Sequence, residues 1–243
     1  MNNITTLEKV FNRVDALSQN CFDQNVNVSD ISFDKLDSVS IEGESHPLKT
    51  IAQRSISWRL GIPFQYLRKC PPEIQSVNLN YWIEHEKNDQ LFFRFDGREV
   101  RAIFTPKYKP VDNFEVCERL DSMGYGPETQ VQCSLDPEFM SLSILDGKKS
   151  FEINGDKFRP GISISNSEVG LASLSIAAFL LRLICTNGMV SKTEISASYR
   201  HVSTKILDEF PQVMDKVSSE LAAQKHKVGL SMESKVDDPI KTI

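Results

Sequence analysis

The stretch from Leu91 to Ser165 most restricts what this chain can fold into. It is cut into short apolar runs by turn-forming residues. Leu91 to Phe95 and Val100 to Thr105 flank Asp96-Gly97, a dipeptide that supplies the positive φ of a tight hairpin turn. Further runs follow at Val131 to Leu135, Met140 to Leu145, Ser150 to Ile153 and Gly161 to Ser165, with a turn centred on Gly155. Strands this short and this closely spaced pair as an antiparallel meander, because a parallel pair needs a long crossover. Asp112 to Met123 reads as a helix whose Phe114, Val116, Cys117 and Leu120 are placed to cover the sheet. Leu174 to Cys185 fits either a helix or a strand.

The remainder is more helical. Leu7, Val10, Phe11, Val14 and Leu17 recur at helical spacing, with Thr6 in a capping position. Asp23 to Glu44 sets six acids against Lys35 alone, which predicts a solvated connection or a short strand near Val39 to Ile41. Leu48 to Cys70 reads as helix, turn, short helix and stop, with Gly61 and Pro63 at the break. On a helical wheel Leu48, Ile51, Ala52 and Trp58 share a face, Arg59 falls within it and Arg54 lies just outside. Pro211 to Lys227 reads as a final helix stopped by Gly229. The expected fold is α+β: an N-terminal helical portion and a mostly antiparallel curved sheet with covering helices. The boundaries read as 1–75 for the helical portion, 76–229 for the α+β core and 230–243 for a mobile tail, unless the first two form one continuous domain.

Composition narrows the function classes. With 243 residues, 40% apolar and 25% charged, the chain has enough material for a substantial core without disulfides. Its formal charge is -5, so an anionic ligand has to meet a local basic patch. Five scattered cysteines, Cys21, Cys70, Cys117, Cys133 and Cys185, contain no CxxC pair and read as free thiols of a reducing, cytoplasmic protein. The amino-terminal sequence lacks an apolar signal core, and Leu174 to Cys185 is too short and too charged to span a membrane. No Gly-rich phosphate loop, HExxH or GxSxG motif is present, and the four histidines are scattered. No catalytic residue, metal ligand or cofactor is therefore assigned.

Two blocks concentrate positive charge. Leu48 to Cys70 holds Lys49, Arg54, Arg59, Arg68 and Lys69 with no acid, a local charge of +5. Phe92 to Pro110 interleaves Arg94, Arg98, Arg101, Lys107 and Lys109 with Phe92, Phe93, Phe95, Phe104 and Tyr108, and its two acids leave it at +3. Cations that neutralise phosphates beside rings that stack on unpaired bases are the physical recipe for single-strand binding. The same alternation also describes an ordinary hairpin, with Phe93 and Phe95 facing a core and Arg94 facing away. The expected nucleic-acid-binding residues are Arg54, Arg59, Lys69, Arg94, Arg98, Arg101, Lys107, Tyr108 and Lys109. Asn166, Glu168, Arg182 and Arg200 lie beside apolar or turn-forming sequence and are expected to form a partly buried structural network, Arg182 pairing with Glu168. A divalent ion on Glu168 with Asp112 would instead indicate a metal-dependent nuclease.

LGIPFQYLRKCP, REVRAIFTPKYKPVDNFEV, SNSEVGLASLSI and LRLICTNGMV followed by YRHVS, in this order, resemble the phage and plasmid family catalogued as domain of unknown function 932. The likeness runs from about Leu48 to about Ser203. It implies residence on mobile elements, association with replication and recombination genes and a likeness to single-strand annealing proteins, and it brings no enzymatic activity. The resulting expectation is a non-enzymatic accessory protein that binds single-stranded DNA, with self-association and annealing as a further possibility. The alternative is a protein-interaction role toward a phage or host protein.

Overall fold

The computed structural model describes residues 4–145, 150–153, 156–184 and 189–199, together with Gln212. In chain order the elements begin β1 (Ile4–Thr6), α1 (Leu7–Ser18), β2 (Cys21–Asn27), β3 (Ile31–Lys35), β4 (Ser38–Ile41) and β5 (Glu44–Pro47). Three helices follow, α2 (Thr50–Arg59), α3 (Phe64–Leu67) and α4 (Pro72–Ile83), then β6 (Gln90–Asp96), β7 (Glu99–Phe104) and α5 (Asn113–Ser122). The chain continues with β8 (Gln130–Leu135), β9 (Met140–Leu145), β10 (Phe151–Ile153), β11 (Asp156–Asn166), β12 (Leu174–Ile184) and β13 (Met189–Tyr199). The fold is α+β, with an N-terminal helix and antiparallel sheets covered by helices. Among the described residues every strand ladder is antiparallel, and an isolated parallel bridge joins Leu48 to Val100. Among the described residues no helix is long and apolar enough to cross a membrane.

The chain divides into two compact units. The first takes Met1–Phe11, Glu115–Asn166 and the chain from Ala172 onward. Its sheet runs β1-β8-β9-β11-β12-β13, with β10 paired to β11. Alternation explains it: Met140, Leu142 and Ile144 of β9 are buried while Ser141 and Ser143 are only half-buried. Register then aligns apolar residues in rows across the strands. Val131, Ile144 and Ile162 form one row, and Cys133, Leu142, Ile164 and Ile176 the next. Thr6 caps α1, its Oγ1 accepting the Lys9 N–H at 3.4 Å. Leu174 to Ile184, open between helix and strand in sequence, is the long strand β12. The expected turn at Gly155 and the expected helix from Pro211 to Lys227 lie outside the described residues, Gln212 apart.

The second unit, Asn12–Phe114 with Ser167–Leu171, holds two three-stranded sheets, β2-β6-β7 and β3-β4-β5. The acidic stretch is mostly strand, where a connection or a single strand at Val39 to Ile41 was expected. Asp34, Asp37, Glu42 and Glu44 are exposed while Val26, Ile31, Phe33, Val39 and Ile41 bury. These five join Leu67, Leu79, Ile83, Leu91, Phe93 and Phe95 in one core. Helix α4 also closes the β3 edge with side chains that replace a neighbouring strand. Asn80 accepts from the Phe33 N–H at 2.7 Å and donates to its carbonyl at 2.9 Å, while Gln75 accepts from the Leu36 N–H at 2.9 Å.

Candidate nucleic-acid interface

The hairpin β6–β7 turns two of its arginines inward. Arg94, 3% exposed, lies opposite Asp23 of β2 and donates Nε to its Oδ1 at 2.9 Å. Its other nitrogens reach the Glu168 carbonyl at 3.0 Å and the Asp112 carboxylate. Arg101, 5% exposed, donates Nη2 to Glu168 Oε2 at 2.6 Å and Nη1 to Cys21 Sγ at 2.7 Å. Glu168 Oε1 accepts the Asn113 N–H at 2.8 Å, at the start of α5. Two guanidiniums are thus held by three carboxylates. Burial opposes both charges, and the carboxylates outweigh it, so both arginines hold their protons more tightly than usual. Burial pushes the Cys21 thiol up even though Arg101 opposes the shift. Among the described residues no three His, Cys, Asp or Glu side chains form a metal-holding group.

The rings of this block are also engaged with one another. Tyr108 stacks on Phe104 with centroids 3.8 Å apart, and burial pushes its hydroxyl up to about 12. Phe93 and Phe95 enter the core. Arg98, Lys107 and Lys109 face solvent, Arg98 lying 3.6 Å from the exposed Glu44. Asn166 is fully buried at the end of β11 in the first unit. Glu168, expected to meet Arg182, has Arg101 as its ion-pair partner; the Arg182 side chain and Arg200 lie outside what the structure describes.

The Leu48 to Cys70 block divides differently. Helix α2 lies on β7, its Ser55 hydroxyl donating to the Ile103 carbonyl. Its buried arc is centred on Ala52 and Ile56, so Trp58, about 200° from Ile56 and about 40° from Arg54, points outward. Trp58 is 83% exposed, which corrects its expected place on the apolar face. Lys49 spends its charge on Asp96 at 2.7 Å and Glu99 at 3.4 Å. Arg59 turns inward to Glu86 at 3.3 Å, and this pair fastens the end of α2 to the turn after α4. Burial works against ionised Glu86, but hydrogen bonds from Asn88 and the charge of Arg59 hold its carboxyl below the usual range. Arg54, Arg68 and Lys69 remain exposed, and among the described residues none has a carboxylate within ion-pairing distance. The Arg54 and Arg68 guanidiniums lie 5.5 and 5.8 Å from the Phe64 ring centre.

Helix α4 supplies residues that sequence reasoning missed. Ile74, Val77, Tyr81 and Trp82 are 42 to 66% exposed, and Tyr66 of α3 is 48% exposed. Tyr81 and Trp82 meet edge to face at 5.2 Å, and His85 tilts against Tyr81 at 4.7 Å. Gln75 donates to the Leu67 and Cys70 carbonyls at 3.0 Å each, so α3 and α4 form one shelf. The available signal was Pro71-Pro72 opening a helix that is apolar on two opposite sides.

The architecture defines an α+β protein with exposed aromatic residues and cations on helices α2 to α4 and an inward-facing arginine network. Residues 101–232, more than half of the chain, match the family described as Domain of unknown function (DUF932), and the chain belongs to it. The match starts later than Leu48 and continues past Ser203, so the helical surface precedes the matched stretch. No curated protein and no solved structure matches the chain.

Proposed function

We propose that this protein binds single-stranded DNA as a non-enzymatic accessory of a phage or plasmid and assists annealing or recombination. The observation that carries the reading is Trp58: a large ring 83% exposed, one turn from Arg54, in a block of 23 residues without an acid. A ring left in water at that cost gains a function by stacking, and the cations beside it attract a phosphate chain to a molecule of net charge -5. Arg54, Lys69, Arg98, Lys107 and Lys109 are the proposed phosphate contacts. Arg59, Arg94, Arg101 and Tyr108 act behind them, positioning the elements that carry the exposed groups.

The exposed aliphatic pair Ile74 and Val77 favours the second reading, a protein partner. Titration of labelled single-stranded and duplex oligonucleotides at two salt concentrations separates the two. Single strands are expected to bind more tightly than duplex and to weaken steeply with salt. Absence of binding at low salt rejects the reading in favour of a protein partner.

A further inference from the structure

The helical shelf has a chemistry more specific than positive charge. Both tryptophans of the chain are exposed on its helices, Trp58 of α2 at 83% and Trp82 of α4 at 46%, and Tyr66 of α3 and Tyr81 of α4 are exposed as well. An aromatic residue of this size ordinarily buries its ring, so four exposed on three consecutive helices mark a contact surface. Its framework is held by side chains: the Arg59–Glu86 pair ties the end of α2 to the turn after α4, and Gln75 ties α3 to α4. Rings on such a framework lose little freedom when a ligand arrives.

We infer that this shelf stacks on the faces of unpaired bases, while Arg54, Arg68 and Lys69 hold the adjoining phosphates. The inference rests on the single-strand reading above and names the part of the strand that the protein recognises. Charge selects the occupant. The helices join flat rings to cations without carboxylate partners among the described residues, and a nucleic acid strand offers both base faces and phosphates. A protein partner gives no reason for three unpaired cations beside the rings, since charged residues are depleted at the centre of protein interfaces. A duplex hides its base faces in the stack, so the shelf requires an unpaired strand. Rings read every base through its π face, and recognition is therefore tolerant of sequence.

The test compares an ordinary single-stranded oligonucleotide with an abasic strand of equal length, which keeps the phosphates and lacks the bases. Tryptophan fluorescence of the full chain, excited selectively away from tyrosine, reports only Trp58 and Trp82, so stacking is seen as quenching. Quenching by the ordinary strand, with abasic binding weaker by roughly tenfold or more, is the expected result, because a stacked base contributes about 1–3 kcal/mol. Trp58→Ala and Trp82→Ala are each expected to weaken ordinary-strand binding about fivefold or more while leaving the thermal midpoint and abasic binding unchanged. Equal, salt-sensitive binding of both strands without quenching overturns the stacking inference and leaves the single-strand reading standing. No binding of either strand defeats both. A fluorescence change that follows protein concentration alone, with a matching change in sedimentation, assigns the shelf to self-association and overturns the inference.

Discussion

At the scale of single residues, the arginines of this protein serve two purposes decided by what lies opposite them. Arg94 faces Asp23 across a ladder, and Arg101 reaches Glu168, partners 71 and 67 positions away in sequence. Alternation along β6 shows that Arg94 and its flanking phenylalanines occupy opposite faces, and it says nothing about acids so distant in the chain. That is why these arginines read as ligand contacts in the sequence and stand as internal counter-charges in the fold. Glu168 is the most exacting partner, because both its oxygens accept, one from Arg101 and one from the Asn113 N–H. In Glu168→Gln the amide nitrogen must confront one of those two donors, and Arg101 loses its counter-charge. The expected loss is about 3 kcal/mol by denaturant unfolding, at the low end for breaking a buried pair because one acceptor remains. Arg98→Ala, which removes an exposed pair, is expected to change stability by less than about 0.5 kcal/mol. A neutral Glu168→Gln would show that the network bears little of the fold's stability.

At the scale of elements, Gly161 tests whether the β-sheet of the first unit is packed as tightly as its register implies. A Cβ built there runs into the Phe179 ring and lies 2.8 Å from the Ile144 carbonyl oxygen. The ring can turn aside, whereas the carbonyl belongs to a paired strand. Gly161→Ala is therefore expected to cost about 1–3 kcal/mol, against no loss for Gly126→Ala, where a Cβ meets open space. Thermal unfolding of the two variants checks the contrast, and equal midpoints would contradict it. The same sheet shows which elements were legible in sequence. Serines alternating with Leu and Ile in β9 and β11 declare their inner face, Asp96-Gly97 declares the β6–β7 turn, and the apolar stripe of α5 declares a helix. Strands β2 and β3 were not legible, because β2 exposes Phe22, Asp23, Gln24 and Asn25 in a row and buries only Val26, and β3 is five residues long with only Ile31 and Phe33 buried. Helix α4 hid for the opposite reason: Leu79 and Ile83 face the core while Ile74, Val77 and Tyr81 face water, so no single stripe stands out. Trp58 was placed on the wrong face because a wheel anchored on Ile51 differs from the buried arc that the sheet below α2 selects.

At the scale of the whole molecule, the question is how a chain of net charge -5 presents itself to a polyanion. The answer lies in which cations are cancelled locally. Of the five in Leu48 to Cys70, Lys49 is held by Asp96 and Glu99 and Arg59 by Glu86, which leaves Arg54, Arg68 and Lys69. Each exposed cation that meets a phosphate releases a counterion, and for a single strand each contact contributes about 0.7 to the slope of log affinity against log salt. Replacing these three with Gln is expected to reduce the magnitude of that slope by about 2, with circular dichroism unchanged because none is buried. Arg98, Lys107 and Lys109 provide an equal number of exposed charges on the hairpin and the loop after it. If phosphates pass along the helical shelf, the corresponding hairpin triple changes the slope less than the helical one does. A reversed order would place the phosphate path along the hairpin and leave the helical aromatics to another partner. An unchanged slope in both triples would mean that the long-range field, rather than a defined row of contacts, governs association, and mutation of the rings would then have no effect on salt sensitivity either.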